Sequence, residues 1–179
     1  QLLFLLLFLP VFALAQQPPG LAWKRIYGGK KSETAHDVIP TYVGQILVVG
    51  ETNSPPAQKQ DGLAVLLTAL GDTVFQKNYG GAGDDVLRAA VQTYDGNFVL
   101  AGHTTSIGAG KSDAWLLKIN PQGDTLWQKT YGDTGDDVFM DIMQTTDGHL
   151  VAVGSTTNKG REDTWVCKLY EDGEIIWEK

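Results

Sequence analysis

Residues 84–131 read DDVLRAAVQTYDGNFVLAGHTTSIGAGKSDAWLLKINPQGDTLWQKTY, and this stretch decides the fold because the chain contains it about three times. Four aromatic residues mark the repeat. Trp23, Phe75, Trp127 and Trp177 follow one another at intervals of 52, 52 and 50 residues. A period near 50 residues is typical of architectures in which one unit cannot bury its apolar faces alone. The sequence therefore predicts a repeat protein.

Four short apolar stretches in each unit read as β-strands. In the second copy they cover residues 86–93, 98–102, 114–119 and 125–129. Asp95-Gly96 between the first two favours a tight hairpin, because both central positions of such a turn need a positive φ. Residues 120–124 turn the chain between the last two. The first stretch is also compatible with a helical turn, but the Asp-Gly connection favours a strand.

These strands are apolar on both faces. In the third strand of the second copy, Trp115 and Leu117 lie on one face and Leu116 on the other. A sheet with one face in water alternates more cleanly, whereas small sheets stacked around a propeller axis are buried on both faces. We therefore predict an all-β fold, a β-propeller-like array of four-stranded antiparallel blades with about three blades present and the ring incomplete.

The chain begins with an apolar run that ends in Ala13-Leu14-Ala15. This small-x-small pattern predicts a signal peptide over residues 1–15, cleaved before Gln16. The run is shorter than the ~20 residues that a membrane-spanning helix needs, so we expect no transmembrane span after cleavage. Neither a Met nor a basic segment precedes the run, which indicates that the signal is N-terminally incomplete. We expect the protein to be exported, either secreted or on the outer cell surface.

After a leader over residues 16–22, the repeats occupy residues 23–179. We divide them at about 30–81, 82–133 and 134–179, with the last repeat truncated at the C-terminus. The first copy is atypical: we place four extra residues between Tyr27 and Asp37 and four fewer between Val38 and Gly50, and the Asp-Gly turn is missing. Propellers typically close with 4–8 blades. We therefore expect further blades of the same chain, the alternative being closure by self-association.

Composition limits the partners. The net charge of −7 and the pI near 4.8 argue against nucleic acid and anionic membrane surfaces. Cys167, the single cysteine, can form no intramolecular disulfide. It lies on the apolar face of a predicted core strand, so we expect a buried residue without a chemical role.

Paired carboxylates offer the one metal hypothesis. Asp84-Asp85 and Asp136-Asp137 open the same strand in two copies, and calcium binds clustered carboxylate and carbonyl oxygens. The interpretation that we prefer is a turn cap, in which Asp accepts hydrogen bonds from nearby backbone N–H groups. A motif present in every blade holds the blade together, whereas chemistry is normally needed once. We therefore predict no catalytic residue and no cofactor, with calcium as the alternative.

Other polar and aromatic residues also allow two interpretations. Asp61, Asp113 and Asp163 recur before the third strand and are expected to bond the Thr and Ser residues that follow the repeated glycine, as in Gly102 to Ser106. His36, His103 and His149 fall at positions that are not equivalent, which argues against a shared three-histidine metal site. The repeated Trp and Tyr residues are expected in the core, with stacking on sugar rings as the alternative.

The repeat motif resembles motifs found in other proteins. It comprises Asp113, Trp115, Gly123, Trp127 and Tyr131, and then Asp163, Trp165, Gly173 and Trp177. In Asp-x-Trp-Leu-x-Lys followed by Gly-x-x-x-Trp-x-Lys-x-Tyr-Gly, the chain resembles repeats of secreted propeller-like proteins abundant in Bacteroidetes, many of which carry a type IX secretion sorting domain. The Gly-x-x-x-Trp ending is also similar to the tryptophan-docking blades of quinoprotein dehydrogenases.

The resemblance implies a function without naming a ligand. We expect a non-catalytic, exported binding or scaffolding module of a larger cell-surface or secreted protein, with an unknown protein or a glycan as its partner. The alternative is an enzyme: the propeller of an endoglucanase-like extracellular carbohydrate-active protein, or a quinoprotein-like oxidoreductase.

Overall fold

Alternating apolar stretches and turns build a structure made of strands. The computed structural model describes residues 23–158 and 160–179, so the predicted signal peptide and leader lie outside the described residues. Twelve strands and no helix are found in this part of the chain. No helix there is long and apolar enough to cross a membrane.

The strands form three antiparallel sheets of four, each in chain order. The first sheet consists of β1 Glu33–Pro40, β2 Ile46–Thr52, β3 Asp61–Leu67 and β4 Thr73–Tyr79. The second consists of β5 Asp85–Gln92, β6 Phe98–Thr104, β7 Asp113–Ile119 and β8 Thr125–Tyr131. The third consists of β9 Asp137–Gln144, β10 Leu150–Asn158, β11 Arg161–Leu169 and β12 Ile175–Glu178. The prediction of an all-β, propeller-like array of four-stranded sheets is confirmed, and the first apolar stretch of the unit is a strand.

The three sheets stack face to face, because their strands are apolar on both sides. One buried cluster joins the first and second sheets and includes Leu47, Trp115 and Leu117. A second cluster joins the second and third sheets and includes Leu116 and Phe139. The first strands β1, β5 and β9 contact one another in succession. In the part of the chain that the structure describes, the three sheets form an open array and do not close into a ring.

The hairpin turns differ from the predicted two-residue type. Between β5 and β6 the turn covers residues 93–96, and the N–H of Gly96 donates to the carbonyl of Thr93 at 2.8 Å. Gly96 has φ +83° and ends the turn instead of sharing its centre with Asp95. The Asp95 carboxylate accepts the N–H of Asn97 and a bond from the Thr93 hydroxyl. The longer loop is favoured because the aspartate side chain closes it from within.

The predicted insertion and deletion in the first repeat are wrong. Glu33 pairs with Thr52 as Asp85 pairs with Thr104, so the 52-residue period holds through the whole first sheet. The carboxylate of Glu33 accepts bonds from the hydroxyls of Thr52 and Ser54. Glu33 stands where the other two repeats have aspartate, so the sequence alone does not reveal that these positions are equivalent. In the first sheet, the turn between β1 and β2 closes without an Asp-Gly pair, because the N–H of Gly44 donates to the carbonyl of Thr41.

Candidate functional site

Each sheet has an irregular point in its first strand. The pairing of β1, β5 and β9 with the second strand slips by one residue, so that one residue of each first strand has no partner opposite it. These residues are His36, Arg88 and Met140. Such β-bulges redirect a side chain and are over-represented next to active sites. The three positions share one place in the fold but differ in chemistry, unlike most of the repeat.

A glycine opposite each bulge makes the irregularity compatible with close strand pairing. A Cβ atom on Gly102 would lie 1.9 Å from the carbonyl oxygen of Val86. Gly50 and Gly154 face carbonyl oxygens of their own first strands at 1.9 and 1.8 Å. No side chain fits there, which explains why the glycine recurs in every repeat.

The bulge residues stand beside a second variable position on the neighbouring strand. In the first sheet the two positions are filled by His36 and Glu51, whose Nε2 and Oε2 atoms lie 3.0 Å apart. In the second sheet they are filled by Arg88 and His103. There, Nε of Arg88 and Nδ1 of His103 are buried and have no hydrogen-bond partner among the described residues. Buried polar atoms normally have a partner, so these two nitrogen atoms distinguish the second sheet from the first, where His36 and Glu51 pair with each other.

Arg88 and His103 line a groove of about 390 Å³ between the second and third sheets. The other lining residues come mainly from the third sheet: Ser112, Asp136, Asp137, Val138, Met140, Ser155, Thr157 and Glu162. The volume falls within the range of about 300–1,000 Å³ that is usual for ligand pockets. The groove thus combines a guanidinium group, an imidazole, hydroxyls and carboxylates.

Electrostatics determine the form of His103. Burial lowers the pKa of its imidazole below the ordinary value, and the positive charge of Arg88 lowers the pKa further, against the opposing effect of Glu51 and nearby aspartates. Both effects favour the neutral ring. A neutral imidazole has one donor and one acceptor nitrogen, and Nδ1 of His103 is buried, so the ring offers a ligand its other nitrogen, Nε2.

A further cavity of about 200 Å³ lies on the first sheet and is lined by Tyr27, Leu63 and Val65 among others. Leu63 occupies the position that Trp115 and Trp165 fill in the other sheets. The smaller side chain leaves the space. Its lining is mostly apolar and lacks the free polar atoms of the groove.

The second aspartate of each pair has the geometry of a turn cap. The Asp85 carboxylate accepts the N–H of Gly81 at 2.7 Å and bonds from the hydroxyls of Thr104 and Ser106. Asp84 is less buried, and its side chain lies 4.0 Å from that of Lys59.

The third repeat is similar, since Asp137 accepts the N–H of Asp133 at 3.0 Å while Asp136 is exposed. Within residues 23–158 and 160–179, no three His, Cys, Asp or Glu residues are grouped so that they could hold a metal ion.

The expected network around Asp113 is wrong in its partners. The hydroxyls of Thr104 and Ser106 bond Asp85, while Asp113 accepts the N–H groups of Ala109 and Gly110 in its own loop. Asp163 instead pairs with Arg161 at 2.9 Å. Asp113 therefore stabilises its own loop, whereas Asp163 pairs within β11.

The repeated aromatic residues lie mostly inside the stack. Trp115 and Trp165 are buried, at 1% and 6% exposure, and so are Tyr131 and Cys167. Trp127 is partly buried against the cluster between the second and third sheets. Trp177, its counterpart in the third sheet, is 42% exposed. Gly123 and Gly173 sit at the turns before the fourth strands with φ of +77° and +86°.

The repeat pattern does not identify Arg88 or Glu162 as lining residues of a groove. It also does not show that Arg88 lies near His103. Residues that recur at the same position of each repeat are mostly those that hold the sheets together. The signal that points to the groove is the reverse: equivalent positions that differ from one repeat to the next. The equivalence of His103 to Glu51 and Ser155 depends on the strand register.

Comparison with known proteins adds little beyond this geometry. No protein-family model matches the chain, and no curated protein matches it. Among solved structures, the chain is similar to a protein of unknown function from Bacteroides caccae, with 15% sequence identity and a TM-score of 0.46. The match covers 86% of this chain and 63% of that one. The chain therefore spans less than two thirds of the length of the structure that it matches.

Proposed function

We propose that the chain is a non-catalytic, exported binding or scaffolding module of a larger secreted or cell-surface protein, and that the groove between the second and third sheets holds its ligand. The observation that carries the proposal is the position of Arg88 and His103 on the wall of the groove, each with a nitrogen atom that has no hydrogen-bond partner among the described residues. Export is proposed from the apolar run that ends at Ala15.

The groove suits a neutral glycan. A sugar hydroxyl donates one hydrogen bond and accepts others, and the groove offers donors on Arg88 beside acceptors on Asp136 and Glu162. Three carboxylates and one guanidinium line the groove, so the negative charge disfavours an anionic ligand. The buried carboxylate of Asp85 accepts a backbone N–H and two hydroxyl hydrogen bonds, which supports a structural role for this residue over acid–base chemistry.

The test is binding to an array of neutral glycans by the chain and two variants, Arg88→Ala and His103→Ala. We expect each variant to lose binding while its melting temperature stays close to that of the parent. His149→Ala is the matched control, because His149 lies at the turn between β9 and β10, outside the groove. Binding that survives both groove variants would contradict the proposal. Turnover of a bound glycan would favour the carbohydrate-active enzyme instead.

A further inference from the structure

The outer face of the third sheet repeats a surface that is buried elsewhere in the molecule. At the interface between the second and third sheets, the second sheet contributes Val99, Ala101 and Leu116, each at 0% exposure, and the partly buried Trp127. Their counterparts in the third sheet define the outer face: Val151, Val153, Val166 and Trp177. The three valines are only partly buried and Trp177 is 42% exposed.

The lysines that pair with acidic residues of the next sheet also have counterparts on the third sheet. Lys118, with its side chain 7% exposed, lies 2.7 Å from Asp95 of its own sheet and 2.9 Å from Glu171 of the next. Lys129 pairs with Glu174, which is also on the next sheet.

The counterparts of these lysines are only partly paired. Lys168 is 2.7 Å from Asp147 of its own sheet, which reproduces the first half of the Lys118 arrangement. Within the described part of the chain, neither Lys168 nor Lys179 has an acidic partner from another sheet.

We propose that the outer face of the third sheet docks a further sheet of this repeat, one that presents an acidic turn of the type found at residues 171–174. The apolar positions continue the interface already present between the second and third sheets. The acidic turn would supply the missing partners of Lys168 and Lys179. The outer face is separate from the groove, and its partner does not depend on the proposed ligand.

A second copy of the chain fits this surface less well, because its turns are already occupied. Glu171 and Glu174 are paired with Lys118 and Lys129 of their own chain. The turn of the second sheet pairs through Asp124 with Lys77, and the turn of the first sheet through Asp72 with Arg25. Contact between two outer faces would bring Lys168 and Lys179 against the same lysines of the other copy, and like charges repel. The partner is therefore a repeat sheet with a free acidic turn.

The test appends a copy of residues 130–179 directly after Lys179, which keeps the repeat in phase. In the appended copy the counterpart of Trp177 is phenylalanine, so that the peptide containing Trp177 is unique. Hydroxyl-radical footprinting with mass spectrometry then measures how fast Trp177 is oxidised. We expect the rate to fall several-fold from that in the 179-residue chain, towards the rate of Trp127.

Charge reversal provides the matched control. Lysine at the appended counterparts of Glu171 and Glu174 should return Trp177 to fast oxidation, and adding Lys168→Glu with Lys179→Glu should restore the protection. A tandem chain in which Trp177 is oxidised as fast as in the parent, whether or not the appended repeat folds, overturns the proposal. Protection of Trp177 that rises with the concentration of the parent chain would identify a second copy as the occupant and would also overturn it.

Discussion

The hydroxyl of Tyr131 donates a hydrogen bond of 2.8 Å to the carbonyl of Gly173 in the next sheet. Tyr79 makes the same bond to Gly123 at the preceding interface. A Cβ atom on Gly173 would lie 2.8 Å from the Tyr131 hydroxyl, so the glycine is needed for close approach as well as for its positive φ. The tyrosine of one repeat and the turn glycine of the next are therefore two halves of a single contact between sheets.

Removing the Tyr131 hydroxyl should weaken this contact. We expect Tyr131→Phe to lower the free energy of unfolding by about 1 kcal/mol, because a buried hydrogen bond is lost and the Gly173 carbonyl is left without that donor. Urea denaturation measures the change. Tyr94→Phe is the control, since Tyr94 is 61% exposed, and it should be close to neutral. Equal losses in the two variants would contradict the structural role of the bond.

The tryptophans of the third strands should matter more than any other single side chain of the repeat. We expect Trp115→Ala and Trp165→Ala each to destabilise the protein by about 3–5 kcal/mol, the range for large aromatic residues truncated in a core. Trp177→Ala is the matched control, because that side chain is 42% exposed. If Trp115→Ala kept the parent melting temperature and abolished ligand binding, the residue would be a binding residue and not a core residue.

The strand pattern could be predicted because the two faces of each strand carry the signal independently. Leu116 and Leu117 are adjacent in sequence and buried in different interfaces, which only a sheet covered on both sides allows. The turns before the fourth strands followed from Gly123 and its neighbours. Both features depend on residues that are close together in the sequence, so the sequence is enough to predict them.

The alignment of the first repeat and the position of the groove depend on strand register, which the sequence encodes weakly. Glu33 stands where the other repeats have aspartate, so the sequence pattern predicts an insertion before Asp37 that the strand register does not contain. The bulge that directs Arg88 into the groove adds one residue to one strand, and this cannot be read from an apolar pattern. The groove belongs to two sheets at once, which places Arg88 and Glu162 together only after folding.

The turn-cap interpretation of the aspartate pairs predicts that no metal stabilises the fold. Adding a strong chelator should leave the melting temperature of the protein unchanged. A site filled by calcium would instead add RT ln(1 + [L]/Kd) of stability, several kcal/mol at saturation. Differential scanning calorimetry with and without calcium distinguishes the two. A chelator-sensitive shift that Asp85→Asn abolishes would overturn the turn-cap interpretation.

The export hypothesis predicts a defined N-terminus. When the chain is produced with an initiating Met and a basic segment before residue 1, the secreted product should begin at Gln16, because Ala13 and Ala15 form a small-x-small cleavage site. Intact-mass spectrometry measures this directly. Ala15→Leu should slow cleavage, whereas Val11→Leu should not. A secreted product that retains residues 1–15 would contradict the assignment.

The ion group around Lys118 should make stability depend on pH in the acid range. Partial burial opposes ionisation of Asp95, but bonds from Lys118, Thr93 and Asn97 outweigh it and hold the pKa of Asp95 below its ordinary value. A carboxyl whose folded-state pKa is depressed stabilises the protein above its unfolded pKa of about 3.9, and that stability is lost as the pH falls through the folded pKa. The difference in unfolding free energy between the parent and Asp95→Asn should therefore be largest near pH 7 and shrink as the pH falls below about 4. Asp141→Asn is the surface control, because it removes an exposed carboxylate that has no ion pair in the described part of the chain. A parent-to-Asp95→Asn difference that stays constant down to pH values of about 2 would show that Asp95 acts only as a turn residue and not through its charge.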